Sequence, residues 1–190
     1  MLEKDRFSFC VTGHRPNQLF GYNIHLDKYD KIREKLKEIM FSMSQAAYNK
    51  YGICTFRYIS GMALGVDTIF FETALWLREH SNEFTVQVAA AVPFLGQESK
   101  WPQESRNEYH KLLKQADETI VVSDGSYAPW KMQKRNEFMV DHSDVVIAVY
   151  NGAKAGGTKN CVDYAVKKNK AIVIINPTDC SLQYRSCELF

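Results

Sequence analysis

The stretch Phe56-Arg57-Tyr58-Ile59-Ser60-Gly61-Met62-Ala63-Leu64-Gly65-Val66-Asp67 decides the fold. Its first four residues have the aromatic and β-branched character of a short strand, and they run straight into a turn punctuated by two glycines. Beyond the turn, Ile69, Phe70, Thr73, Ala74 and Leu77 fall on one face of a helix. A strand, a glycine turn and a helix in that order are the opening half of a βαβ unit.

Outward from this stretch the same grammar repeats. Phe7 to Thr12 forms a strand that breaks at Gly13-His14-Arg15-Pro16. Ile32, Leu36, Ile39, Met43 and Ala47 then mark the buried stripe of a long helix, with Asp27 as its N-cap and Gly52 as its stop. Val86 to Val92 is a third strand, ended by Pro93; the helix after it starts at Pro102 and turns Tyr109, Leu112, Leu113 and Ala116 inward. Thr119 to Val122, Val145 to Tyr150 and Ala171 to Ile175 complete the strands, with helices over 131–142 and 159–168 between them. This alternation predicts an α/β fold of Rossmann-like, three-layer form, with a mostly parallel sheet of about six strands. One domain accounts for residues 1–190, the last dozen reading as a loose tail.

With 190 residues, 45% of them hydrophobic, the chain has enough apolar material for one core. Its 24 basic and 22 acidic residues leave a formal charge of +2, too even to attract nucleic acid or an anionic membrane in bulk. An anion site must therefore be local, and single-stranded DNA ranks below a nucleotide-type small molecule as the expected partner. No apolar run is long enough to span a bilayer, and Met1 to Arg6 is charged where a secretory signal is apolar. The five cysteines form no Cys-x-x-Cys pair and their number is odd, as befits free thiols in a reducing compartment. The expectation is a cytoplasmic protein with no metal, no cofactor and no membrane partner.

In an open parallel sheet, ligands settle in the crevice at the carboxyl ends of the strands, where the strand order reverses. Four loops converge there: Gly13-His14-Arg15, Ser60 to Asp67, Ser123 to Arg135, and Gly156-Gly157-Thr158. Glycines just before a helix let backbone N–H groups approach an anion, and the helix end adds partial positive charge. Ser60, Gly61, Gly65 and Asp67 on one loop and Gly156, Gly157 and Thr158 on another are therefore candidate ligand-binding residues, although Ser60 and Asp67 serve equally as helix caps. Neither loop has the Walker A or the Gly-x-Gly-x-x-Gly spacing. Arg15 and Arg135 stand where two guanidinium forks would meet a phosphate, or would pair with surface carboxylates. Gly13 and His14 lead into Arg15, the imidazole reading as packed. Trp101 offers a ring face to a base or anchors its loop in the core, and Tyr127 and Trp130 carry the same alternative. Lys131, Lys134, Arg135 and Lys154 are the basic residues available for clustering.

Taken in order, Cys10-Val11-Thr12-Gly13-His14-Arg15-Pro16, Ser60 to Asp67, Pro93-Phe94 to Gln97 to Trp101, and Gly156-Gly157-Thr158 with Asp163-Tyr164-Ala165 resemble the YpsA-like branch of the SLOG superfamily, which groups Smf/DprA proteins with Lonely Guy enzymes. The resemblance covers nearly the whole chain. It implies a nucleotide-type ligand, in some members one related to NAD or ADP-ribose, and it suggests a homodimer without locating an interface. Against the Lonely Guy motifs, Met132-Gln133-Lys134-Arg135-Asn136 is similar to Met-x-x-Arg-Lys with Asn136 in place of the lysine. Asn160 stands where those N-glycosidases have a glutamate, which removes a carboxylate from an oxocarbenium-like centre. A phosphoribohydrolase acting on nucleoside monophosphates is thus an alternative, with Arg135 and Asp163 as its catalytic residues. A DprA-like single-strand-binding accessory protein is the second alternative, carried by the likeness of Ser60 to Asp67 to Ser-Gly-x-Ala-x-Gly-x-Asp.

Overall fold

The computed structural model describes residues 5–185. Seven strands and five α-helices follow one another as β1 (Phe7–Gly13), α1 (Asp27–Tyr51), β2 (Thr55–Ser60), α2 (Val66–His80), β3 (Thr85–Val92), α3 (Gln103–Leu113), β4 (Glu118–Val121), α4 (Pro129–Asp141), β5 (Val145–Val149), α5 (Gly157–Lys167), β6 (Ala171–Ile175) and β7 (Leu182–Arg185). They build one sheet in the order β4-β3-β2-β1-β5-β6-β7, parallel except for β7, which pairs antiparallel with β6.

Strands β5 and β6 and nearly all of β1 and β2 are buried, which is why they read in sequence as continuous apolar runs rather than alternating ones. Both faces are covered. On one, Phe9, Phe56 and Tyr58 pack under the buried stripes of α1, α2 and α3; on the other, Cys10, Ile59, Val146 and Ala148 meet Met139 and Val140 of α4 and Cys161 and Ala165 of α5. The five α1 residues expected inside are all buried, and Gly52 ends that helix in the left-handed conformation. This is the three-layer Rossmann-like arrangement with helices on both sides of the sheet.

The differences from the sequence reading lie at element ends and at the C-terminus. Helix α1 starts at Asp27 itself, with Leu26 as the N-cap residue. Helices α4 and α5 each begin two residues early, taking in Pro129 and Gly157, because a helix's first turn needs no N–H from its leading residues. Residues 182–185 form the edge strand β7 where a loose tail was expected, held by register pairs from Ile172↔Arg185 to Ile175↔Leu182. Cys187 and the rest of that tail lie outside the described residues. Among the described residues, no helix is long and apolar enough to cross a membrane, and no group of His, Cys, Asp or Glu is placed to hold a metal ion.

β1 sits where the winding reverses, with β2 on one side and β5 on the other. The loops leaving β1, β2 and β5 therefore open the crevice at the carboxyl edge.

Candidate functional site

The β2–α2 loop is fixed from within. Ser60 Oγ donates to the Asp67 carbonyl at 2.7 Å and accepts from the Met62 N–H at 3.1 Å, while Asp67 Oδ2 accepts from the Ala63 N–H at 3.2 Å. Met62 adopts a left-handed φ of 56°, a strained conformation for a side-chain-bearing residue that these bonds sustain. Asp67 stands in the first turn of α2, where the helix end favours its charge.

Arg135 reaches this loop from α4. Its Nη1 donates to Asp67 Oδ2 at 3.0 Å, and the two side chains are only 5% and 8% exposed. The guanidinium lies against Gly61: a Cβ built there would fall 1.2 Å from Nη1 and 2.2 Å from Cζ. Glycine is required at this position because the backbone carries the arginine. Nε of Arg135 is buried and has no hydrogen-bond partner among the described residues. Arg135 thus braces the loop through Nη1 and keeps its buried Nε–H unspent among the described residues.

Arg15 stands differently. It is exposed, precedes a short 3-10 turn at Pro16–Gln18, and makes no ion pair with any described residue. Partial burial lowers its pKa, Asp67 raises it and Arg135 lowers it again, so Arg15 lies within electrostatic reach of that pair. Asp67, the carboxylate acting on Arg15, is already engaged by Arg135, an arrangement that favours an added anion.

The other expected site residues take varied places. His14 is buried, with Nε2 2.8 Å from Asn151 Oδ1, and it ties the loop after β1 to the loop after β5. Gly13 meets the start of α2, where a Cβ would fall 2.5 Å from Val66 Cβ. Gly156 and Gly157 are exposed at the open start of α5, Thr158 is buried behind them and Asn160 faces solvent. Asp163 pairs with Lys159 on the outer face of α5. Trp101 turns toward the α2–α3 layer, edge-on to Tyr109 at 5.4 Å, and lines a cleft there with Met62, Leu64 and Gly65. The structure therefore unites Ser60, Gly61, Asp67 and Arg135 directly, sets Arg15 beside them, and keeps Asp163 apart.

Two residues take roles that the sequence reading did not give them. Lys131, considered only as part of a basic cluster, is buried and donates Nζ to the Ser126 carbonyl at 2.6 Å and to that of Asp124, clamping the loop that carries the exposed Tyr127, while the exposed Trp130 stands in the first turn of α4. Its signal was a lysine in a helix's first turn, where the dipole disfavours a cation. Gln97 is buried and donates to the Met62 carbonyl and to the Tyr109 hydroxyl, each at 3.3 Å.

Two buried thiols lie under the crevice. Burial pushes both up, Cys161 to about 11 despite the side chain of Thr12 and the Arg135 cation, and Cys10 further still. We expect a thiol reagent at about pH 8 to label the exposed Cys54 readily while Cys10 and Cys161 react only on unfolding, since the thiolate is the nucleophile. Peptide mapping of the labelled protein checks this, and prompt native labelling of Cys161 would contradict its placement.

Residues 9–180 match the YpsA family, described as the YspA SLOG family. The chain is 35% identical over 153 residues to the uncharacterized SPbeta prophage-derived protein YoqJ of Bacillus subtilis (strain 168), covering 72% of this chain and 81% of the relative. It is 30% identical over 167 residues to a UPF0398 protein of Bacillus thuringiensis (strain Al Hakam), covering 85% and 83%. Among solved structures, DNA processing protein A from Streptococcus pneumoniae aligns with a TM-score of 0.58 at 14% identity, over 90% of this chain and 50% of that one. The same protein from Helicobacter pylori, whose structure concerns a unique single-stranded DNA binding mode, aligns at 0.54 and 19% identity, over 90% and 65%. These likenesses show a shared fold, and this chain spans about half of the first structure and just under two thirds of the second. They overturn the ranking of single-stranded DNA below a nucleotide. That ranking rested on the net charge of +2, and net charge says nothing about a local cation such as Arg15 at the mouth of a crevice.

Proposed function

The chain belongs to the YspA SLOG family, within a superfamily that includes both nucleotide-binding and DprA-like members, and from that premise we propose that its carboxyl-edge crevice binds the phosphate of a nucleotide unit, carried by single-stranded DNA or by a free nucleotide. The observation that carries this reading is the contrast between two neighbouring arginines. Arg135 is buried and matched by Asp67, whereas Arg15 is exposed beside them with no ion pair to any described residue. A phosphate at Arg15 gains a charge-assisted hydrogen bond. The glycine-led start of α5 supports it with unpaired backbone donors. Tyr127 on the loop after β4 and Trp130 in the first turn of α4 are 60% and 57% exposed, with Lys134 over the Trp130 ring, a surface suited to stacking unpaired bases.

Turnover is not part of the proposal. Asp163 is paired with Lys159 and Asp67 with Arg135, so neither carboxylate is free to stabilise an oxocarbenium-like centre.

The test measures binding of a fluorescent oligo-dT strand, and in parallel of AMP and ADP-ribose, to the protein and to Arg15→Ala. A circular dichroism spectrum checks that the variant is folded. The expected result is a loss of about 10- to 100-fold on removing Arg15, the scale of a hydrogen bond to a charged group. Strand binding that weakens steeply with salt identifies the polymer as the source of the phosphate, and salt-tolerant retention of AMP or ADP-ribose identifies the free nucleotide. Affinity unchanged in folded Arg15→Ala, or no binding of any probe, would overturn the reading. Chromatography of the same mixtures for released base checks the restriction on turnover.

A further inference from the structure

The loop that carries Gly61 and Gly65 has a second side. There, in the layer formed by α2 and α3, lies a cleft of about 950 Å³, large enough for a heterocycle and its sugar. Its surface is divided by chemistry. Met62 and Leu64 supply an apolar floor, and the half-buried indole of Trp101, braced edge-on by Tyr109, supplies a ring wall. Glu72 from α2 and Glu104 and Glu108 from α3 place carboxylates around the opening. Burial raises the pKa of Glu72, its pairing with Arg33 at 3.5 Å opposes the rise, and the like charge of Glu108 adds to it. The lining ammonium, Lys111, pairs with Glu108.

This surface suits one half of a nucleotide and repels the other. A phosphate would face Glu104, which has no ion pair among the described residues, beside Glu72 and Glu108, whose cationic partners Arg33 and Lys111 are already engaged. A flat ring would instead cover the apolar floor and pack against the indole. Carboxylates accept hydrogen bonds and donate none, so a ring bearing an exocyclic amine gains what a ring bearing only a carbonyl at that position loses. The cleft also joins the crevice, because Gly65 and Pro16 line it and Arg15 immediately precedes Pro16.

We propose that the cleft receives an amine-bearing base, of the adenine, cytosine or guanine type, belonging to the nucleotide unit whose phosphate lies at Arg15. The inference rests on the phosphate reading above and adds the selectivity for the base. It makes Trp101 the stacking wall and the α3 carboxylates the determinants of preference.

Adenine and hypoxanthine separate the two halves, since they differ chiefly in the exocyclic amine that one has and the other lacks. AMP and IMP are titrated into the protein by calorimetry, and deoxyadenosine and deoxyinosine oligomers are compared by anisotropy. AMP, or the deoxyadenosine strand, is expected to bind about tenfold or more tightly than its inosine counterpart. In the double variant Glu104→Ala/Glu108→Ala, two partly exposed helix positions where alanine preserves the helix, that ratio should fall toward one. Trp101→Ala should weaken adenine and hypoxanthine probes alike. Equal binding of AMP and IMP that still depends on Arg15 would place the base elsewhere, overturning this inference and leaving the phosphate reading intact. Failure of all four probes to bind would take down both.

Discussion

Asp67→Ala is expected to lower the stability of the protein by about 3–5 kcal/mol, roughly 10 °C or more in melting temperature for a chain of this size. The substitution strands the Arg135 guanidinium, 5% exposed, beside a cavity with no counter-charge. It also deprives the Ala63 N–H of its acceptor and the first turn of α2 of a well-placed negative charge. Asp67→Asn separates these contributions, because the amide keeps an acceptor for Ala63 while giving up the ion pair, and it should fall between the wild type and alanine. Thermal and urea denaturation of the three proteins make the comparison. A loss below about 1 kcal/mol for Asp67→Ala would mean that Arg135 swings out to water and that the buried pair does not hold the loop.

Gly61→Ala comes next in size, at about 2–4 kcal/mol, and it acts through the same arginine. One methyl group is a small change, but it would occupy the space of Nη1, 1.2 Å away, with Nε at 2.8 Å. The guanidinium cannot give by a few tenths of an ångström and still meet Asp67. The prediction is therefore one of coupling: with Arg135→Ala already present, adding Gly61→Ala should change stability by no more than about 0.5 kcal/mol. Strict additivity of the two substitutions would show that the methyl group collides with something other than the arginine.

The central strands were legible because a parallel strand covered on both faces has no polar alternation to hide behind, as Val145 to Val149 and Ala171 to Ile175 show. Strand β7 was not, since Leu182-Gln183-Tyr184-Arg185 is a largely exposed edge whose place depends on its pairing with β6 and hardly on its own residues. The loops of the crevice could be found from glycines lying between strand and helix. What could not be read was which charge would be satisfied. Arg15 and Arg135 look alike in the sequence, and only the approach of α4 to Gly61 buries one and leaves the other in solvent. Trp101 shows the same limit: the sequence left its ring between a ligand and the core, and the side of the loop it faces follows from the packing of Tyr109 and Gln97.

The contact between Arg135 and Asp67 also has a bearing on how the molecule assembles. It joins residues 68 positions apart, with the rest of α2 and all of β3, α3 and β4 lying between its ends. Ring closure of that length carries an entropic cost that nearby contacts must have met beforehand. The contact therefore belongs to the late stages of folding, and weakening it should chiefly hasten unfolding while leaving the refolding rate close to that of the wild type. A ligand that needs the finished crevice would then act after the chain has folded, as a brake on its opening and not as a template for its formation.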